Sequence, residues 1–192
     1  MIMLDIIERQ SKETDFITDK GGLHAYVEGF YEKEFSRFKD ESITLIEIGV
    51  NHGGSMRLWN EYFTNAEIYG LDICKTDVAD FLEYYPKYSN LHYMITNAYD
   101  YEVSKTLPEY DIFIDDGPHT IQTQILSLDL YLNKMKHNGV FVIEDVQQYH
   151  ELVMLKNHVN DNYPEFSCEL YDLREMKGRY DDMIFVARRQ NA

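Results

Sequence analysis

From residue 44 onward, short apolar runs alternate with stretches of helical periodicity. Seven runs read as strands, at residues 44–50, 67–73, 91–97, 110–116, 139–145, 167–173 and 182–188. Ile-Phe-Ile at 112–114 and Val-Phe-Val-Ile at 140–143 are apolar at every position. That is the pattern of strands covered on both faces, where neither side meets water. Between the runs, residues 55–63, 78–85, 120–135 and 151–162 carry helical patterns. Ile121, Ile125, Leu128, Leu132 and Met135 share one helical stripe, and Asn138-Gly139 is expected to stop that helix. Val27, Phe30, Tyr31, Phe35 and Phe38 mark a further helix ahead of the first strand.

Strands alternating with helices predict right-handed crossovers and an open parallel sheet. The last two runs are joined by residues 174–181, too short for a crossover helix, so they are predicted to pair antiparallel. The expected fold is therefore α/β, a Rossmann-like open sheet of seven strands with helices on both faces. It is mostly parallel, with the last strand antiparallel. One domain is expected over 1–192, with a helical arm at 1–40 and the core at 44–188.

Composition narrows the partners. The 192 residues hold 18 Lys+Arg against 34 Asp+Glu, a net charge of −16. So acidic a surface repels phosphate backbones, and nucleic acid is not expected as a partner. No run approaches the ~20 apolar residues of a membrane span. Residues 1–9 carry Asp5 and Glu8 and lack the basic start of a signal peptide. With Cys74 and Cys168 as the two cysteines, a reduced, cytoplasmic protein is expected. The 16 tyrosines exceed the needs of a core, so some are expected in a pocket, with Tyr26, Tyr149 and Tyr180 as candidates.

Chemistry concentrates at the strand ends. Glu47-Ile48-Gly49-Val50-Asn51-His52-Gly53-Gly54-Ser55 lets the chain turn sharply toward a ligand and into a helix start. Asn51 stands where a dinucleotide fingerprint needs glycine, which counts against NAD or FAD. Asp72 ends the second strand, where a carboxylate can accept hydrogen bonds from both hydroxyls of a ribose. Taken alone, the same residues describe a tight turn and a capped loop.

The fourth strand ends in Asp115-Asp116-Gly117-Pro118-His119 and the fifth in Glu144-Asp145. Adjacent parallel strands lie roughly 4.8 Å apart, so the two acidic pairs should face each other. No Lys or Arg lies in either segment to relieve their repulsion. A hard, oxygen-ligated divalent cation such as Mg²⁺ would do so, and solvated acidic strand ends are the plain alternative. His119, at the mouth of the same crevice, has the pKa range of a general base.

These stretches, with Thr18-Asp19-Lys20, His24, Tyr26 and Trp59, resemble the class I S-adenosylmethionine-dependent methyltransferases. More narrowly, the chain is similar to the macrocin- and mycinamicin-type sugar O-methyltransferases and their cephalosporin hydroxylase-like and rhamnosyl O-methyltransferase relatives. The resemblance runs from about Thr18 to Asp145. It implies Mg²⁺-dependent methyl transfer from S-adenosylmethionine to a hydroxyl of a sugar or sugar-containing small molecule. It implies Glu47, Gly49, Asn51, Gly53, Ser55, Asp72, Asn97 and Asp115 for the cofactor. Asp116, Glu144 and Asp145 would be metal ligands, with His119 and Asp116 catalytic and Lys20 closing over cofactor or substrate.

Three departures stand out. Pro118 replaces the serine usual in D-D-G-S-H. Asn97-Ala98 stands where relatives commonly carry an acidic-glutamine pair. The additional N-terminal domain of the macrolide enzymes is expected to be absent, which leaves acceptor identity and homo-oligomerisation open. Rival readings are a non-catalytic S-adenosylmethionine or nucleotide-binding module and an oxidative, hydroxylase-like enzyme. A 2-His-1-carboxylate iron pattern is not evident in the sequence, and Asn51 places a dinucleotide reductase last.

Overall fold

Seven strands form a mixed sheet in the order β3-β2-β1-β4-β5-β7-β6 in the computed structural model, which describes residues 1–13, 17–74 and 88–190. The helix expected at 78–85 lies outside the described residues. The strands are β1 (Ser42–Ile48), β2 (Asn65–Asp72), β3 (Leu91–Ile95), β4 (Tyr110–Asp115), β5 (Met135–Ile143), β6 (Phe166–Asp172) and β7 (Met183–Arg189). Neighbours from β3 to β5 pair parallel. β7 lies between β5 and β6, antiparallel to both, and its pairing with β6 is the one the short connection requires. That connection still accommodates one helical turn, at Arg174–Lys177.

Strict alternation of side chains sorts the core into two layers. Leu45, Ile112, Ile114, Val140, Val142, Ile184 and Val186 face one side. They meet helix α1 (Met3–Glu13), the arm helix and α3 (Gly54–Tyr62) there. The arm helix is a π turn at Val27–Tyr31, an α turn α2 at Glu32–Phe35 and a 3₁₀ turn at Ser36–Phe38. Ile46, Phe113, Phe141, Ile143 and Phe185 face the other side. They meet Leu128 and Tyr131 of the Ile121–Tyr131 helix, and Leu152, Leu155 and Val159 of the Tyr149–Asn162 helix. No helix among the described residues is long and apolar enough to cross a membrane.

One boundary differs from the sequence expectation. The helix expected to run to Met135 ends at Tyr131, is followed by a 3₁₀ turn, and β5 begins at Met135. Asn138-Gly139 therefore lies inside β5, not at a helix end. Met135 pairs with Tyr110 and Val140 with Ile112, so three extra residues of β5 bulge out between the two pairs. Sheet pairing outcompetes the helical stripe here.

Candidate active site

A cavity of about 620 Å³ opens beyond the carboxyl ends of β1, β2, β4 and β5. Ligands of open α/β sheets bind at this edge. Among the described residues, the non-glycine positions with positive φ are Asn51 (44°), His119 (56°) and Asp145 (51°). All three line this cavity. Such backbone costs of order 1–3 kcal/mol per residue and gathers where side chains are held for function.

At one wall the chain turns at Gly49, whose φ is 80°. A Cβ there would lie 1.9 Å from the carbonyl oxygen of Asp116, so only glycine permits the turn. Asp72 projects from the end of β2 and accepts from the amides of Asn51 and Cys74, each at 2.8 Å. Asn97 lines the same wall, its side-chain oxygen accepting from the Tyr99 amide at 3.1 Å. Ile17, Thr18, Asp19 and Lys20 cover the cavity from the arm. That segment lies so close to Gly54 that a Cβ there would stand 2.4 Å from the Ile17 carbonyl carbon.

The opposite wall is acidic, and the alternation that sorts the core also sorts its carboxylates. Glu47, Asp116 and Glu144 continue the face of Leu45, Ile114 and Val142, toward the arm. There the Lys20 ammonium lies 3.3 Å from Glu47, 2.6 Å from Asp116 and 2.5 Å from Glu144. Trp59 Nε1 donates to the second oxygen of Glu47 at 2.9 Å, and the Tyr31 hydroxyl donates to the second oxygen of Glu144. Lys20 is 1 % exposed. Burial opposes its charge, but Asp116, Glu144 and Glu47 outweigh burial and hold its pKa well above the lysine range. Burial in turn pushes Glu47, Asp116 and Glu144 above the ordinary carboxylate range, against the pull of Lys20.

Asp115 turns to the other face, where it accepts from the Tyr99 hydroxyl at 2.6 Å and the Gly117 amide at 3.2 Å. Burial pushes its carboxyl up as well, with the Tyr99 hydrogen bond pulling it down. Asp145 leaves the strand geometry through its positive φ. Its Oδ1 accepts from the Tyr26 hydroxyl at 2.5 Å, and its Oδ2 lies 3.6 Å from His119 Nε2. His119 Nε2 is also 4.0 Å from Asp116 Oδ1. Behind Tyr26, His24 stacks at 4.8 Å and places Nδ1 2.7 Å from Asp182 Oδ1.

Asp116, His119 and Asp145 thus present ligand atoms within 4.8 Å of one another. Gly49, Asn51, Ser55, Asp72 and Asn97 line the cavity beside them. Glu47, Gly53, Asp115 and Glu144 sit behind its wall, Gly53 as the left-handed cap of α3. Glu144, expected among the metal ligands, has both oxygens engaged by Tyr31 and Lys20. Neither acidic segment contains Lys or Arg, but Lys20 reaches them from 96 residues upstream of Asp116 and supplies positive charge that the sequence reading assigns to a cation alone. Lys20, expected to close over cofactor or substrate, lines the cavity with the arm and at the same time is the buried partner of these acids. His24 and Tyr26 are singled out in the sequence without these contacts, and the parts played by Tyr31, Tyr99 and Asp182 carry no sequence signal of their own. Of the pocket tyrosines expected, Tyr26 is buried at the site, whereas Tyr149 and Tyr180 are exposed.

Sheet order, the inserted antiparallel strand and the position of the cavity define the class, a Rossmann-like methyltransferase fold. Within that class the chain belongs to the methyltransferase-domain family Methyltransf_24, whose model matches residues 46–146. It is 30% identical over 141 residues to the 8-demethyl-8-alpha-L-rhamnosyl tetracenomycin-C 2'-O-methyltransferase of Streptomyces olivaceus, covering 68% of this chain and 35% of that protein. It is 27% identical over 153 residues to the mycinamicin VI 2''-O-methyltransferase of Micromonospora griseorubida, covering 74% and 36%. The chain thus spans about a third of the length of these curated relatives. In structure it resembles the MycE methyltransferase of the mycinamycin biosynthetic pathway, solved with Mg and SAH. The TM-score is 0.74 at 20% identity, covering 97% of this chain and 55% of that one.

Proposed function

We propose that the chain works as one methyltransferase domain that transfers a methyl group from S-adenosylmethionine to a hydroxyl oxygen of a sugar or sugar-bearing small molecule, with a divalent cation, Mg²⁺, at the acidic wall. The observation that carries this reading is a single cavity with Asp72 at one wall and His119 between Asp116 and Asp145 at the other. The names of the relatives, O-methyltransferases acting on rhamnosyl tetracenomycin and mycinamicin VI, support the acceptor class.

The residues fit both groups. A volume of about 620 Å³ falls in the range of small-molecule sites. Asp72 is oriented by two amides and keeps lone pairs for a ribose diol. Two carboxylates beside an imidazole suit a hard divalent cation, and Asp116 and Asp145 would hold it. When bound, S-adenosylmethionine supplies an electrophilic methyl group, and the cation supplies positive charge beside the acceptor oxygen.

The rest falls to the chain. His119 Nε2 takes the proton of the acceptor hydroxyl, and the neighbouring carboxylates of Asp116 and Asp145 stabilise the imidazolium that results. Tyr26, donating to Asp145, holds that carboxylate toward His119. The arm excludes water from above and the cavity fixes the acceptor in line, from which much of the acceleration of such displacements arises.

Calorimetric titration of S-adenosylmethionine into the purified chain, with Mg²⁺ and then with EDTA, tests the cofactor half. Binding in the micromolar range is expected. A folded protein that binds nothing in either condition would overturn the reading. Production of S-adenosylhomocysteine upon addition of vicinal-diol sugars then tests the acceptor class.

A further inference from the structure

Lys20 draws on the same carboxylates that a cation at the acidic wall would need. Its ammonium is held by Asp116 Oδ2 at 2.6 Å and Glu144 Oε2 at 2.5 Å, with Glu47 Oε1 at 3.3 Å. Glu47 lies in β1, Asp116 and Glu144 directly follow the ends of the adjacent strands β4 and β5, and strand parity points all three at the arm. One monovalent charge serves two buried carboxyls, Glu47 and Glu144, and the half-buried Asp116, which is a charge-poor arrangement. Asp116 is also a member of the cavity-facing group with His119 and Asp145. Its two oxygens therefore look in two directions, Oδ2 to Lys20 and Oδ1 to His119.

We propose that Lys20 is the resident counter-ion of the acidic wall, and that a divalent cation competes with it for Asp116 and Glu144, so that cation binding and seating of the arm are linked. The inference rests on the assignment of the acidic wall as a cation site, and adds to it the group that sets its affinity. Like charges that share one carboxylate repel, and burial leaves little water to screen them. Entry of the cation thus loosens Lys20 from Asp116 and frees Glu144 to join the ligands. Lys20 belongs to the segment that covers the cavity, with Ile17, Thr18 and Asp19 beside it. The state of the acidic wall is thereby communicated to the cover of the cofactor wall. By reciprocity, whatever seats the arm weakens the cation by the same factor.

The test uses the full chain, stripped of metal, with Mg²⁺ alone as the probe and no cofactor present. Isothermal titration should show Lys20→Met binding Mg²⁺ at least about tenfold more tightly than wild type, a difference of about 1.4 kcal/mol. Lys20→Arg, which keeps the charge, should remain near wild type. Equal or weaker binding by Lys20→Met overturns the competition and leaves the cation assignment standing. Absence of Mg²⁺ binding in both wild type and Lys20→Met overturns the cation site and the competition together. Because Lys20→Met leaves the buried Glu47 and Glu144, and Asp116 beside them, without their cation, it is paired with a measurement on wild-type protein. Amine labelling of Lys20, read by peptide mass, should be blocked in EDTA and rise at least about fivefold with saturating Mg²⁺, relative to the exposed Lys12. Labelling that stays blocked in saturating Mg²⁺ overturns the displacement.

Discussion

At the Asp72 wall of the cavity the contacts are backbone amides and a glycine turn, all within one strand–loop–helix unit and the end of the next strand. At the His119 wall they are side chains drawn from the arm, from three strand ends and, through Asp182, from the β6–β7 connection. The first wall is local, partly exposed and built on positive φ at Gly49, Asn51 and Gly53. The second is remote in sequence, buried and ionic. The difference teaches why the two halves should respond differently to substitution: a backbone-built site fails when its turn fails, whereas a side-chain-built site loses its parts one at a time.

The largest effect is expected at the reacting centre. His119→Ala should lower turnover by about 10²–10⁴-fold, the usual contribution of a general base, with little change in S-adenosylmethionine affinity. Steady-state kinetics beside calorimetry separate the two; an equal loss of affinity would make His119 a binding residue and blur the contrast between the walls. Gly49→Ala should strike both walls together, since its Cβ would collide with the Asp116 carbonyl at 1.9 Å. A loss of about 3 kcal/mol in urea unfolding is expected, from the positive φ and the collision combined.

Asp72→Ala should be milder, weakening the cofactor about tenfold or more through lost ribose contacts, each hydrogen bond to a charged group contributing about 1.5–3 kcal/mol. Mg²⁺ affinity measured without cofactor should be untouched, because Asp72 is held by the Asn51 and Cys74 amides and not by the arm; a change in it would mean that Asp72 also supports the acidic wall. The smallest effect is in pH. Lys20 has a raised pKa because Asp116, Glu144 and Glu47 outweigh the opposing effect of burial. Its stabilisation is therefore complete below the ordinary lysine pKa of about 10.4 and is lost only as pH climbs through the higher folded-state value. Thermal midpoints should show no loss from this group below about pH 10 and a decline above it; an earlier decline that Lys20→Met removes would contradict the assignment.

The seven strands were legible because each buried run is short, apolar and separated by a change of period, and every predicted run overlaps an observed strand. The β5 start was misread since Met135 continues a helical stripe, and only its pairing with Tyr110 recruits it to the sheet. Helix α1 falls within the helical arm expected at 1–40 but is not delimited there, although Met3, Ile6, Ile7 and Gln10 are buried at helical spacing. At the site, Asp72, Asp116, His119 and Asp145 were identified from motif position, and the structure places all four around one cavity.

Local pattern determined the strands, the glycine turn and the acids at the strand ends, because periodicity and chain direction are properties of neighbours in sequence. The tertiary structure decided which acids meet the cavity and which meet Lys20. Strand parity aims Glu47, Asp116 and Glu144 at the arm, and a left-handed residue at Asp145 breaks that parity and returns its carboxylate to His119. A partner that arrives from 96 residues away leaves no trace in local spacing, since only the packing of the arm on the sheet brings its charge to the carboxylates.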